Sequence, residues 1–249
     1  MDLGLEGKNA IVTGGSLGIG SAIALVLAEE GCNIAINYRR HDAEAKEIAA
    51  KAEAMGRKGL AIKADVSSYD DAQNMVDTVV NEFGRLDIMV CNAGINWDGV
   101  IWKMTEEQWD TVINVNLKGY FNYNKAAAAV FKEQKGGKIV NISSINGMRG
   151  KFAQSNYAAS KGGEIAMSKS LAKELGKFNV NVNVVAPGMV MTDMARSIPQ
   201  EFLAAALDET SVGRFATPEE CANVVAFLCS DKSRHVTGEV IKVDGGQYM

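Results

Sequence analysis

The sequence has few of the residues that mark secreted or metal-dependent proteins. Its four cysteines form no C-x-x-C pair, which favours reduced thiols in a protein core over disulfides. The only two histidines, His41 and His235, have no ligand-like partners, so we predict no catalytic zinc or other metal site. Only three prolines and no low-complexity segment argue against a linker or a disordered tail.

Long hydrophobic runs and runs of one charge are also missing. No apolar run reaches the roughly 18 residues that a membrane helix needs, and residues 1–8 lack the charged and apolar regions of a signal peptide. We therefore expect a cytoplasmic protein without a membrane partner. The net charge of −4 comes from mixed acidic and basic residues, and without a basic stripe we expect no nucleic-acid partner.

What the sequence does contain is a regular alternation of strand and helix signals over all 249 residues. No Pro/Gly-rich joint interrupts it, so we predict one domain over residues 1–249. Its fold class is α/β, a doubly wound (Rossmann) domain with a seven-stranded parallel sheet and helices on both faces. The predicted strands are 9–13, 33–37, 60–63, 86–91, 138–142, 180–185 and 239–243. The predicted helices are 20–30, 41–55, 69–83, 105–134 with a bend near Gly119, 155–177 and 218–229.

A glycine-rich turn, Thr13 to Gly20, joins the first strand to the first helix. Glycines at 14, 18 and 20 allow positive φ and close approach of a pyrophosphate, and the helix N-terminus behind them favours negative charge. After the first strand of a βαβ unit this pattern indicates a dinucleotide site. The alternative is a tight strand–helix turn without a ligand.

Two further strand ends carry candidate cofactor residues. Asp65 follows the third strand, where its carboxylate could accept a bond from the adenine amine or cap the next helix. Asn92-Ala93-Gly94 ends the fourth strand beside the expected crevice. Its small residues would admit a cofactor, or Asn92 could simply tie adjacent strands together.

The chemistry centres on Tyr157 and Lys161, which a helix would place on one face, one turn apart. A nearby ammonium favours the phenolate and so lowers the pKa of the phenol from about 10. Ser143 and Ser144 end the fifth strand, at the edge of the sheet where ligands bind. A phosphate cradle, a hydroxyl and a Tyr–Lys pair together suggest hydride transfer to or from a carbonyl.

These motifs resemble those of the short-chain dehydrogenase/reductase family from end to end. The matching segments are Thr13-Gly14-x-x-x-Gly18-x-Gly20, Asn92-Ala93-Gly94, Asn114-Val-Asn116-Leu, Ser144, Tyr157-x-x-x-Lys161, Pro187-Gly188 and Val243-Asp-Gly-Gly246. The sequences of residues 168–171 and 184–194 are most similar to those of the 3-oxoacyl-thioester reductases of this family.

The resemblance implies four catalytic residues. Tyr157 would give its proton to the carbonyl oxygen, and Lys161 would lower its pKa and bond the nicotinamide ribose. Ser144 would donate to the substrate oxygen, with Ser143 as the alternative hydroxyl. Asn116 would order a water that relays protons to Lys161, or it could merely bend its helix.

The resemblance also implies binding residues. Cofactor contacts are expected from Gly14, Ser16, Leu17, Gly18, Ile19, Gly20, Tyr38, Arg39, Asp65, Val66, Asn92, Ala93, Gly94, Tyr157, Lys161, Pro187, Gly188, Val190 and Thr192. Substrate contacts are expected from Asn96, Trp97, Ser144, Asn146, Tyr157 and Met189. The loop over about 189–214 also carries the apolar residues Met191, Met194, Ile198, Phe202 and Leu203, so it could be an apolar lid over the substrate or a subunit contact.

The preferred cofactor is expected to be NADP(H), with NAD(H) possible. Relatives that prefer NAD place a carboxylate at the end of the second strand. Tyr38 stands there in this chain, and Arg39 could pair with a 2′-phosphate. Leu17 weakens the expectation, because many relatives that use NADP have a basic residue at that position.

The substrate is expected to be a 3-oxoacyl thioester or a similar β-keto compound, reduced to a secondary alcohol or formed from it. Alternatives are a dehydrogenase for a sugar, steroid or cyclic alcohol, and a dinucleotide-binding regulator without turnover. Acyl carrier protein is an uncertain partner, because Lys135 matches one of two basic docking positions whereas Phe178 replaces the other. Trp97 and Trp102 add aromatic area near the predicted entrance, or belong to a core or interface. The family further implies a homotetramer, in which the small residues 126–129 and 158–159 would suit close contact between helices of two subunits, or could instead pack within one subunit.

Overall fold

The protein has a single seven-stranded parallel sheet with helices on both faces in the computed structural model, which describes residues 2–192, 195 and 200–249. The strand order is β3-β2-β1-β4-β5-β6-β7. The strands are β1 Asn9–Val12, β2 Asn33–Tyr38, β3 Gly59–Lys63, β4 Ile88–Cys91, β5 Gly137–Ile142, β6 Val180–Pro187 and β7 Val240–Val243. The predicted doubly wound fold is therefore confirmed.

Helices cover both faces of the sheet, because its inner strands such as β1 and β4 are buried on both faces. They are α1 Gly18–Glu29, α2 Asp42–Ala54, α3 Tyr69–Phe83, α4 Glu106–Ile113, α5 Gly119–Gln134, α6 Asn146–Arg149 and α7 Ser155–Leu175, followed by helices over Gln200–Asp208 and Pro218–Cys229. Alternate residues of one strand enter opposite cores: in β1, Ile11 packs on one side, and Ala10 and Val12 pack on the other.

Several helix boundaries agree closely with the prediction. Thr105 and Gln108 form a capping box at the start of α4, and α3 and the helix over Pro218–Cys229 have the predicted limits. The predicted long helix over 105–134 is interrupted by a π-helical turn, Asn114–Lys118, just before the expected bend at Gly119. The short helix α6 and the helix over Gln200–Asp208 were not predicted.

The four cysteines are free and buried, as their spacing predicted. Burial raises the pKa of Cys32 and Cys221 to about 12, so these thiols behave as core residues. No helix among the described residues is long and apolar enough to cross a membrane. Within the expected apolar loop, Met194 and Ile198 lie outside the described residues, whereas Phe202 is largely exposed.

Candidate active site

The candidate residues gather at the carboxyl ends of β1, β4, β5 and β6. The chain winds outward from β1 toward β3 and then returns to place β4 on the other side of β1. This reversal leaves a crevice between the ends of β1 and β4, where open parallel sheets bind ligands. The topology therefore brings together groups that lie far apart in the sequence.

The glycine turn fits a dinucleotide. Gly14 and Gly18 have φ of +62° and +58°, a conformation that side chains disfavour. A Cβ added at Gly20 would lie 2.2 Å from the carbonyl oxygen of Gly14, so only glycine lets α1 start against the turn. The first turn of α1 has no acidic residue and no side-chain cap, which leaves its N–H groups and positive end available to a phosphate.

Asn92 ties the first and fourth strand ends together. Its side-chain amide donates to the carbonyl oxygens of Thr13 at 3.0 Å and Gly14 at 3.2 Å. The Thr13 hydroxyl accepts in return from the backbone N–H groups of Asn92 and Ala93. Asn92 therefore has the tying role that the sequence left as an alternative. Ala93 lies directly against Gly14, and a Cβ at Gly14 would lie 2.9 Å from the Cα of Ala93.

The end of β2 presents one cation beside one carboxylate. Arg39 Nη1 lies 3.5 Å from Asp65 Oδ2, and both side chains are partly exposed. Asp65 does not cap α3, because Ser68 does so; its Oδ1 accepts from the hydroxyl and the backbone N–H of Ser67. The Tyr38 hydroxyl donates to Asp42 at 2.5 Å. The two expected nucleotide contacts, Arg39 and Asp65, thus share one corner of the crevice.

The structure separates the roles of the two candidate serines. The Ser143 hydroxyl donates to the backbone carbonyl of Lys161 at 2.8 Å and is buried. The Ser144 hydroxyl accepts a 3.1 Å bond from the backbone N–H of Asn146. Because an acceptor bond leaves the Ser144 hydroxyl able to donate, and that hydroxyl faces Tyr157, this geometry favours Ser144 as the group that contacts a substrate oxygen.

Burial opposes the expected acidity of Tyr157. Desolvation is the largest influence and raises the pKa of the phenol, with a smaller contribution in the same direction from Glu164. The Lys161 ammonium and the Ser144 hydroxyl act the other way. The sequence predicted a lowered pKa for Tyr157. This prediction is wrong, because the cost of desolvating the phenolate outweighs the influence of the Lys161 ammonium. The Lys161 Nζ lies 5.8 Å from the Tyr157 ring centre.

Lys161 is buried among groups that the sequence analysis did not identify. Its ammonium donates to the carbonyl of Ile142 at 2.8 Å, to Glu164 Oε1 at 2.9 Å and to the Tyr120 hydroxyl at 3.3 Å. Glu164 is completely buried. Its position three residues after Lys161 on one helix was the available signal. Tyr120 comes from α5 and carried no such signal.

Asn116 lies in the π turn between α4 and α5 and is completely buried. Its side-chain oxygen accepts from the N–H of Ile95 and its amide donates to the carbonyl of Ile95, both at 2.9 Å, and to the Ser160 hydroxyl at 3.0 Å. A Cβ added at Gly94 would lie 3.4 Å from Asn116 Oδ1 and 3.5 Å from Lys161 Nζ. The side chain of Asn116 thus holds the loop after β4 beside Lys161.

The segment after β6 lies across the crevice from the glycine turn. The N–H of Gly188 donates to Val243, and a Cβ at Gly188 would lie 2.9 Å from the Cβ of Asp244. Val190 bridges to Ala216. Thr192 faces the glycine turn, since a Cβ at Gly18 would lie 3.3 Å from its Cγ2. The predicted nicotinamide contact and the phosphate turn therefore meet across the crevice.

The substrate side is formed by two linked loops. Gln154 donates from its amide to both carboxylate oxygens of Asp98, and its own oxygen accepts from Asn146, next to Ser144. The carbonyl of Trp97 accepts from Asn156, and the Trp97 side chain is partly exposed. These bonds place the expected contacts Trp97 and Asn146 on one wall. Asn96 is exposed at the rim, bonded to Asp98, and Met189 is partly buried beside Gln247.

The chain is similar to known proteins over nearly its whole length. Residues 14–247 match the sequence profile of a short-chain dehydrogenase/reductase family described as enoyl-(acyl carrier protein) reductase. The chain is 43% identical over 242 residues to the 3-oxoacyl-(acyl-carrier-protein) reductase FabG of Staphylococcus aureus (strain Mu50), covering 97% of this chain and 98% of that protein. Its identity to the enzyme of the same name from Thermotoga maritima is 44% over 245 residues, with the same coverage. A 3-oxoacyl-(acyl-carrier-protein) reductase of Synechocystis is 39% identical over 246 residues, 98% of each chain.

Proposed function

Because the chain belongs to the short-chain dehydrogenase/reductase family, an oxidoreductase family acting on CH–OH and C=O groups, we propose that it reduces a 3-oxoacyl thioester or a similar β-keto compound with NADPH. The observation that carries this proposal is the convergence of Ser144, Tyr157 and Lys161 beside a glycine turn that fits a dinucleotide. When bound, the nicotinamide supplies the hydride, and the protein supplies position and the proton.

Each catalytic residue then has a role that its contacts support. Ser144 donates its free hydroxyl proton to the substrate oxygen and fixes the carbonyl next to Tyr157. Tyr157 gives its phenolic proton to that oxygen as the alcohol forms. Lys161 stabilises the resulting phenolate by its charge. Asn116 holds the loop over Gly94 and Ile95 beside Lys161, and the absence of a side chain at Gly94 leaves room for a ribose next to the ammonium.

The remaining expected contacts are proposed to hold the dinucleotide. Gly14, Ser16, Leu17, Gly18, Ile19 and Gly20 would surround the pyrophosphate, with Asn92, Ala93 and Gly94 beneath the nicotinamide half. Tyr38, Arg39, Asp65 and Val66 would receive the adenosine half. Pro187, Gly188, Val190 and Thr192 would cover the nicotinamide. Preference for NADPH rests on the partly exposed cation of Arg39 at the end of β2.

Phe178 stands at one of the two positions where related reductases have a basic residue for docking acyl carrier protein. This replacement argues for a substrate that does not depend on a carrier protein. Phe178 packs against the hydrophobic core, and the exposed Lys177 lies over its ring at 5.2 Å. The other position, Lys135, is exposed at the end of α5. With one cation replaced by a core aromatic, encounter with an acidic carrier loses part of its electrostatic steering.

Acetoacetyl groups on coenzyme A and on acyl carrier protein provide the test. We expect kcat/KM with NADPH to be at least as high for the coenzyme A thioester, because Phe178 offers the carrier no charge. A carrier-bound substrate better by about 100-fold, roughly 2.7 kcal/mol of added transition-state binding, would contradict carrier independence. Crotonyl-coenzyme A is the control for the enoyl reduction that the family profile names. A sugar, steroid or cyclic alcohol turned over faster than any β-keto thioester would contradict the substrate class itself.

A homotetramer is proposed for the assembly. Ala126 and Ala127 are buried within the subunit, so they cannot form the expected contact; Ala129 and Ala159 are exposed. Trp109 of α4 and Phe121 of α5 expose apolar area on the same helical segment. We expect light scattering at micromolar concentration to give four times the chain mass of 26.6 kDa. A monomer under those conditions would contradict the proposal.

A further inference from the structure

Glu164 is a buried carboxylate beside the catalytic lysine to which the proposed mechanism gives no role. It lies on α7, three residues after Lys161, and is completely removed from solvent. Its Oε1 and Oε2 lie 2.9 and 3.2 Å from the Lys161 Nζ. An ionised carboxylate in such a place is strongly disfavoured unless it is paired, so the ionised form of Glu164 depends on its contact with Lys161.

The Lys161 ammonium is shared between Glu164 and the active site. An ammonium has three protons to donate, and Glu164, Ile142 and Tyr120 already accept from it. A ribose or a phenolate that needs the same ammonium must compete with these acceptors. Of the three, Glu164 is the carboxyl group, so its protonation changes the net charge of the pair that it forms with Lys161.

Polar and titratable groups reach Glu164 from every element packed around it. Lys161 and Tyr157 lie on the same helix as Glu164, whereas Tyr120 lies on α5 and Cys91 on β4. The charge of Glu164 raises the pKa values of Tyr157, Tyr120 and Cys91. The backbone carbonyl of Glu164 accepts from the Ser168 hydroxyl, which in turn accepts from Asn141. Among the described residues, the salt bridge of Glu164 is with Lys161.

Resting on the function proposed above, we propose that Glu164 is a positioning residue that holds Lys161 and sets, through its own protonation, the charge that Lys161 offers to Tyr157. With Glu164 protonated, the lysine charge acts on the phenol unopposed. With Glu164 ionised, the pair is close to neutral and stabilises the phenolate of Tyr157 less. Catalysis in either direction is then slower, because both directions pass between phenol and phenolate.

The expected pH range follows from burial. Desolvation raises the pKa of Glu164 from 4.5 to about 8, against the opposing influence of Lys161. The folded protein therefore binds this proton more tightly than the unfolded chain does. The resulting stability is complete below about pH 4.5, declines as the pH rises and is lost above about pH 8. Activity that needs the protonated form declines above about pH 8 as well.

The test compares wild type with Glu164→Gln, which keeps the shape and removes the charge change. Near pH 7 we expect the two to have kcat/KM within about threefold, and near pH 9 we expect the variant to be faster by about threefold or more. The phenolate absorbance of Tyr157, taken as the difference from Tyr157→Phe, should appear at lower pH in Glu164→Gln. Glu174→Gln, on the exposed side of the same helix, is the matched control and should follow wild type.

Thermal unfolding without substrate gives a readout independent of the proposed reaction. The melting temperature of Glu164→Gln relative to wild type should rise from about pH 5 to about pH 8 and then stay constant. A purely structural role would lower kcat/KM equally at all pH values, which would overturn the proposal, as would identical pH profiles for wild type and variant. Should the variant not fold, wild type decides alone: kcat/KM that is flat between about pH 7 and about pH 9 overturns it. If wild type and Glu164→Gln show these pH differences while the protein turns over a substrate class other than β-keto compounds, the proposed function fails and the role of Glu164 stands.

Discussion

Replacing Tyr157 with phenylalanine is expected to lower kcat about 10²–10⁴-fold, the usual cost of losing a positioned general acid. The ring remains in place, and only the hydroxyl that gives the proton is removed. Because Lys161 keeps its bonds to Ile142, Glu164 and Tyr120, the dinucleotide site should remain formed. The measurement is kcat with acetoacetyl-coenzyme A, together with the NADPH dissociation constant by fluorescence.

Tyr69→Phe is the matched control for this experiment. The Tyr69 hydroxyl bonds to Gln73 one turn along α3, a helix that carries none of the proposed catalytic residues, so its loss should leave kcat unchanged. Retention of more than half of the wild-type kcat by Tyr157→Phe would remove Tyr157 from the proposed mechanism. Loss of NADPH binding in that variant would instead show that the phenol serves the cofactor site more than the proton transfer.

Replacing Arg39 with alanine is expected to raise the KM for NADPH about 10–100-fold and to leave the KM for NADH nearly unchanged. A hydrogen bond to a charged group contributes about 1.5–3 kcal/mol, and NADH lacks the phosphate that Arg39 would bind. Asp65, 3.5 Å from Arg39, competes for the guanidinium. Asp65→Asn removes this competing charge and keeps an oxygen that can accept from the adenine amine, so it should leave binding of NADPH intact or strengthen it.

Arg40→Ala separates this specific contact from the general field of the region. Arg40 is exposed and adjacent to Arg39, so its loss removes the same charge without the proposed phosphate contact. An unchanged KM for NADPH in Arg39→Ala, or a wild-type protein that prefers NADH, would show that the coenzyme assignment is wrong. Equal effects of the two substitutions on the KM for NADPH would show that Arg39 acts only by long-range electrostatic attraction.

The fold could be predicted because its determinants are local. Apolar runs, the capping box at Thr105 and a glycine that ends a helix, such as Gly84, each act within one turn of chain. The relative positions of the catalytic residues also followed from spacing, since Tyr157 and Lys161 share one helix. The π turn at Asn114–Lys118 had no local signal, because an extra residue per turn is stabilised by a tertiary contact, the bonds of Asn116 to Ile95.

Charge balance within the site was harder to predict. Glu164 reads as an ordinary polar residue of a helix until its burial is known, and burial depends on strands β4 and β5 that lie far away in sequence. The same desolvation reversed the expected direction for the pKa of Tyr157. The sequence left two roles possible for Asn92 for a similar reason. Its partners Thr13 and Gly14 lie about 80 residues earlier in the chain, so the pattern around Asn92 does not indicate them.

The π turn also has a consequence for the evolution of the chain. It contains one residue more than a regular turn, so deletion of a single residue between Asn114 and Lys118 would leave a continuous α-helix with all its backbone bonds. The deletion would, however, rotate α4 by about 100° relative to α5, and Asn116 would lose Ile95. Selection should therefore preserve the number of residues between the capping box at Thr105 and Gly119 more strictly than their identity. Insertions and deletions among relatives with this site should accumulate instead in exposed loops elsewhere.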